Sequence, residues 1–209
     1  MFYEDRAENA LRFGDVVRGF VLSAPNIDTP SAQEVKREYE IKVKRPEFAV
    51  VMSPCCSIGD KTIALTPLIE VKWEFFLNPY VAEDLTRVNR PMTPRQAVSP
   101  SIWDRMSEEE RARRLDFGKA SSYAYSDSFV YAPHTLLKKY PVKGKGVETE
   151  TGYYMIDFRR IYRVECRQIS SAKQAPLEVK LLQLRIRARS ELRDKLAWYF
   201  GRPSPEDEI

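Results

Sequence analysis

The alternation of apolar and polar positions divides the chain into an opening run of short strands, a less regular middle, and a second set of strands closed by a helix. Residues 11–22, LRFGDVVRGFVL, predict a β-branched, aromatic strand entered through a turn at Gly14–Asp15. Residues 23–33, SAPNIDTPSAQ, predict a loop, with Ser31 and Glu34 at capping-box spacing. EYEIKVK then alternates, placing Tyr39, Ile41 and Val43 on one face and Glu40, Lys42 and Lys44 on the other, the pattern of a half-buried strand. After Arg45–Pro46, FAVVMS (48–53) is a continuous apolar run consistent with burial on both faces. Pro54 ends it, because proline cannot donate to a ladder. SIGDK predicts a turn and TIALTPLIEV the next strand.

Residues 74–120 break this rhythm, with prolines at 79, 91, 94 and 100. Ser107 and Glu110 form a capping box for a helix over SEEERARRLDF, stopped at Gly118. SSYAYSDSFVYAPH returns to β chemistry, and LLKKYPVKGKGVETETG predicts a loop. GYYMIDFRRIYRVECRQI (152–169) predicts the longest strand. One face carries Tyr154, Ile156, Phe158, Tyr162, Val164 and Cys166 with Arg160, and the other carries Asp157, Arg159, Arg163, Glu165 and Arg167. VKLLQLRIR (179–187) alternates as a further strand, with Arg185 and Arg187 on its polar face. SELRDKLAWYFG (190–201) predicts a helix with a stripe of Leu192, Leu196, Tyr199 and Phe200. Residues 203–209 predict a frayed tail.

Composition is that of a soluble globular protein: 43% apolar and 31% charged in 209 residues. No run approaches the roughly 20 apolar residues of a membrane span. The first residues, rich in acids, do not have the form of a secretory signal. Three cysteines without framework spacing predict a reducing compartment, hence a cytoplasmic protein. The net charge of +4 is mild but uneven, since Arg159 to Lys195 holds eleven Lys/Arg against four acids. Such a segment is a candidate footprint for nucleic acid or an acidic protein, and equally the composition of a solvated face.

Cys55 and Cys56 pose the sharpest chemical question. A zinc site needs about four ligands in paired spacing, whereas Cys166 and His134, the single histidine, each stand alone in sequence. A Cys56–His134 nucleophile pair needs a hydrogen bond that sequence cannot display. Packing of buried thiols at the end of a strand accounts for the pattern most simply. No Gly-rich phosphate loop is present, and no cofactor or metal is expected.

The order of motifs, FGDVVRGFVL, RPEFAVVMS, TIALTPLI and YYMIDFRRIYRV, resembles that of the MazF/PemK family of toxin ribonucleases. The matching positions are Gly14, Asp15, Val16 and Val17; Arg45, Pro46 and Ser53; Pro67 and Leu68; and Asp157 with Arg159 and Arg160. They span about half the chain. The resemblance implies a mainly β fold with helices (α+β), an SH3-like small barrel in a single domain 1–209 with an insertion at 74–130. It also implies a toxin–antitoxin or phage-defence setting. Arg45 takes the place of the family's catalytic arginine, where a guanidinium stabilises charge developing on a phosphate. The family's threonine after Pro-Leu is Ile69 here.

Two functional readings follow. One is a binding module contacting nucleic acid or an acidic protein through Arg159, Arg163, Arg167, Arg185 and Arg187, by salt-sensitive contacts. The other is an RNA endonuclease using Arg45, with Ser53 or Thr66 supplying the hydroxyl that Ile69 lacks.

Overall fold

The computed structural model describes residues 1–26, 40–58, 62–78, 80–81, 83–92, 98–116, 123, 125–144, 147–165 and 179–202. In chain order the first strands are β1 (Val16–Val17), β2 (Leu22–Asn26), β3 (Glu40–Lys44), β4 (Ala49–Val51), β5 (Thr62–Pro67) and β6 (Ile69–Glu70). Helices α1 (Trp73–Phe76), α2 (Pro100–Arg105) and α3 (Glu108–Asp116) come next. Strands β7 (Ser128–Tyr131), β8 (Tyr140–Gly144), β9 (Val147–Thr151), β10 (Tyr154–Asp157), β11 (Tyr162–Glu165) and β12 (Lys180–Leu182) precede α4 (Ile186–Gly201). The chain is thus mainly β with helices, and all strand pairings are antiparallel. Contacts group it into two compact units: Tyr3–Leu68 with Arg160–Leu184, and Ile69–Arg159 with Arg185–Ile209. The stretch expected as an insertion, 74–130, falls inside the second.

The first unit is built on a five-stranded sheet in the order β11-β5-β4-β1-β12. The apolar run 48–53 occupies its centre, and Ala49, Val50 and Val51 are all buried, so both faces of β4 are covered. Gly14 takes φ 86°, the left-handed conformation that glycine adopts without strain, and its N–H donates to Val51 O at 2.8 Å. That turn sets Asp15 and β1 against β4. Leu11, Val17, Leu22, Val51, Ile58, Ile63 and Leu65 form the core. Among the described residues β11 and β12 are the two ends of the sheet, so the expected barrel is not closed.

Residues 23–26, expected as loop, are instead paired with β3 as a two-stranded ribbon, from Leu22↔Lys44 to Asn26↔Glu40. The expected half-burial of β3 also fails, since Ile41 is 62% and Val43 58% exposed. Alternation defines a strand's faces but carries no information about what covers them.

The second unit holds the sheet β6-β10-β7 and the hairpin β8-β9. Its core gathers Val71, Phe75, Val81, Leu85, Val88, Val130 and Met155. The Asn89 side chain accepts from Val130 N–H at 2.6 Å and donates to Val130 O at 2.7 Å, completing β7's pairing where no strand does. The hairpin replaces the loop expected over 136–152. Tyr140 anchors it, accepting from Val71 N–H at 2.7 Å and donating to Tyr153 O. Gly144 lies against the Trp73 ring, where a Cβ would come within 2.3 Å.

Two further expectations change. The strand predicted over 152–169 is two strands in different sheets, broken by a turn at Phe158–Arg159 that Asp157 stabilises by accepting from Arg159 N–H at 2.9 Å. Apolar alternation continues through the break because β10 is buried and β11 turns Tyr162 and Val164 onto the core of the first unit. The strand predicted over 179–187 ends at Leu182, and α4 begins five residues earlier than the Ser190 cap implied. The Ser107 cap is present, its hydroxyl accepting from Glu110 N–H at 3.2 Å.

Candidate functional site

The residues that a ribonuclease reading needs lie in the first unit. Arg45 follows β3 directly and is exposed. Ser53, just beyond β4, is 8% exposed, and its hydroxyl accepts from Ala64 N–H at 2.7 Å. Thr66 on β5 is fully buried, paired across the ladder with Val50. The hydroxyls therefore sit in the packed sheet while the guanidinium stands in solvent. Asp15, read as part of a turn, is fully buried and holds Lys180 Nζ at 2.6 Å. Lys180 also donates to Ala10 O at 2.7 Å and Gln183 Oε1 at 2.8 Å. Burial lowers the Lys180 pKa, and the Asp15 carboxylate opposes that shift. This network fixes β12 to the turn before β1. A burial cost met by a counter-ion and two further acceptors is a structural arrangement.

Cys56 lies in a single helical turn, Cys55–Ser57, and is exposed. The buried-thiol expectation fails for it because Pro54 turns the chain out of the sheet. Cys166 lies outside the described residues. His134, in the second unit, uses Nδ1 to accept from Leu136 N–H at 3.2 Å, closing a local turn. Among the described residues no three His, Cys, Asp or Glu side chains form a group able to hold a metal ion, and no helix is long and apolar enough to cross a membrane.

Of the arginines expected along two strands, Arg159, Arg163 and Arg167 on one and Arg185 and Arg187 on another, Arg163 alone lies on a described strand. Arg159 is in the turn after β10, with Nε 2.8 Å from Asp157 Oδ1 and Nη2 3.2 Å from Asp127 Oδ2. These carboxylates raise its pKa further, the Asp157 hydrogen bond most of all. Arg163 is on β11, opposite Ala64, and exposed. Arg167 lies outside the described residues. Arg185 occupies the position before α4, and Arg187, in its first turn, is 3.4 Å from Glu191. The strand break leaves Arg159 in a turn, and the early helix leaves Arg187 on α4, instead of on the extended segments expected.

Lys195 escaped sequence reading. It is fully buried in α4, on a stripe with Ala188 and Leu192, where its amine donates to Val88 O at 2.6 Å and lies 5.6 Å from the centre of the Tyr123 ring. Desolvation brings its pKa down to about 7, against a small opposing pull from Asp127. The signal was available: positions 188, 192 and 195 follow helical spacing, and a lysine completes the set.

What remains open is β3. Ile41, Lys42, Val43, Lys44 and the following Arg45 are all exposed, and Lys42, Lys44 and Arg45 form no ion pair among the described residues. Comparison with protein families, curated proteins and solved structures finds no match for this chain.

Proposed function

We propose that the protein is a binding module that engages an acidic protein partner through β3 and Arg45. The observation carrying this reading is the charge of Lys42, Lys44 and Arg45, which form no ion pair among the described residues, interleaved with the exposed aliphatic side chains Ile41 and Val43. Cations alone suit any polyanion, nucleic acid included. The aliphatic pair is what favours protein, because Ile and Val offer a β-strand surface to pack on, whereas non-specific nucleic-acid grooves use aromatic platforms. Burial of Ser53 and Thr66 weighs against the ribonuclease alternative, which needs a hydroxyl beside the phosphate that Arg45 would hold.

The test is a titration of the full chain with a labelled poly-glutamate peptide and with an RNA of equal charge, followed by inspection of the RNA for cleavage. Peptide binding that weakens steeply with salt, with RNA left intact, is expected. RNA cleavage lost in Arg45→Ala, or RNA binding tighter than the peptide, overturns the proposal.

A further inference from the structure

Resting on that reading, we infer that the partner docks by adding a third strand to the ribbon, along the edge of β3 that pairs with no described strand. Among the described residues β3 pairs with β2 alone, and residues 41–44 are exposed throughout. An edge strand in this state presents a row of backbone N–H and C=O groups ready to pair with another chain. Main-chain hydrogen bonds from such an edge supply affinity, and alternate side chains supply selectivity.

The side chains of β3 then define the incoming strand. Ile41 and Val43 share one face, and Lys42 and Lys44 share the other. In a paired ladder, directly opposed side chains lie about 4.5–5.5 Å apart. A matching segment places aliphatic residues beside Ile41 and Val43 and carboxylates beside Lys42 and Lys44, with a further acid near Arg45. The partner is accordingly an extended protein segment in which acidic and β-branched residues alternate. Self-pairing of β3 in the register that opposes Lys42 and Lys44 sets like charges side by side, which disfavours a second copy in that register.

The experiment uses the full chain and three synthetic nonapeptides. The first alternates Glu and Val. The second has the same composition in two blocks. The third is the alternating peptide with N-methyl groups on the backbone nitrogens of one edge, which removes its pairing donors. Strand addition predicts that the alternating peptide binds at least tenfold tighter than either of the others, and that it slows hydrogen exchange at the outward amides within residues 40–44. Equal binding by the N-methylated or block peptide, or unchanged exchange in β3, overturns strand addition while leaving recognition of an acidic protein standing. Failure of all three peptides to bind removes both conclusions.

Discussion

Two basic stretches of this protein look alike in composition and differ in what surrounds them. Between residues 159 and 195, Lys180 is set against Asp15, Arg159 against Asp157 and Asp127, and Arg187 against Glu191, while Lys195 is sealed onto Val88 O. Among the described residues the cations of β3 and Arg45 have no such company. The C-terminal stretch carries the larger surplus of positive charge in the sequence, yet these four cations are held within the fold. A density of cations is therefore a poor footprint by itself; uncompensated cations on an open strand edge are a better one.

The sharpest way to break this contrast is to remove an internal counter-ion. Asp15→Ala leaves Lys180 buried without its carboxylate and is expected to cost about 3–5 kcal/mol in urea unfolding. Combining it with Lys180→Met should restore much of that loss, and strict additivity of the two changes would deny their coupling.

Lys195 comes next. Its folded pKa of about 7 lies below the ordinary 10.5, so between those values the unfolded chain binds more protons than the folded one. Stability therefore rises with pH across that window, by at most about 1.4 kcal/mol per pH unit, and the burial cost is fully present below pH 7. Lys195→Met should gain about 1–4 kcal/mol at pH 6 and flatten this dependence. An unchanged slope in the variant would show that Lys195 is not buried as described.

A smaller effect is expected from Gly144→Ala, which forces a methyl group onto the Trp73 ring and should cost about 1–3 kcal/mol in thermal or urea unfolding. Smallest in stability are Lys42→Ala and Lys44→Ala, expected within about 0.5 kcal/mol of wild type because both side chains are exposed. Their insensitivity is the counterpart of the Asp15 result: charge that holds nothing inside is dispensable to folding.

Much of the first unit was legible in the sequence. FAVVMS read as a doubly buried strand because both faces of β4 are covered by apolar packing, and the glycine before Asp15 read as a turn because its backbone requires one. The MazF/PemK-like order of motifs led to Arg45, Ser53 and Thr66, but motif order does not reveal which side of a sheet a hydroxyl faces. Residues 152–169 misled because a two-residue turn between core strands leaves apolar alternation intact. The hairpin over 140–151 was missed because its strands are rich in Lys, Glu and Thr, and its anchoring contact is a tyrosine hydroxyl on distant backbone. Lys180 and Lys195 were hidden by the habit of assigning lysine to the surface, although each stood among apolar neighbours at the spacing of its own element. For β3 the sequence supplied both faces correctly and could not supply their exposure, and that exposure is what the functional conclusion uses.

The most direct measurement is the affinity of the alternating Glu–Val peptide for two triple variants, Lys42→Ala/Lys44→Ala/Arg45→Ala and Arg159→Ala/Arg163→Ala/Arg187→Ala, each beside wild type at matched salt. Loss of binding by more than tenfold in the first, with near wild-type affinity in the second, is the predicted result. The reverse order, or equal losses in both, would contradict the assignment of recognition to β3.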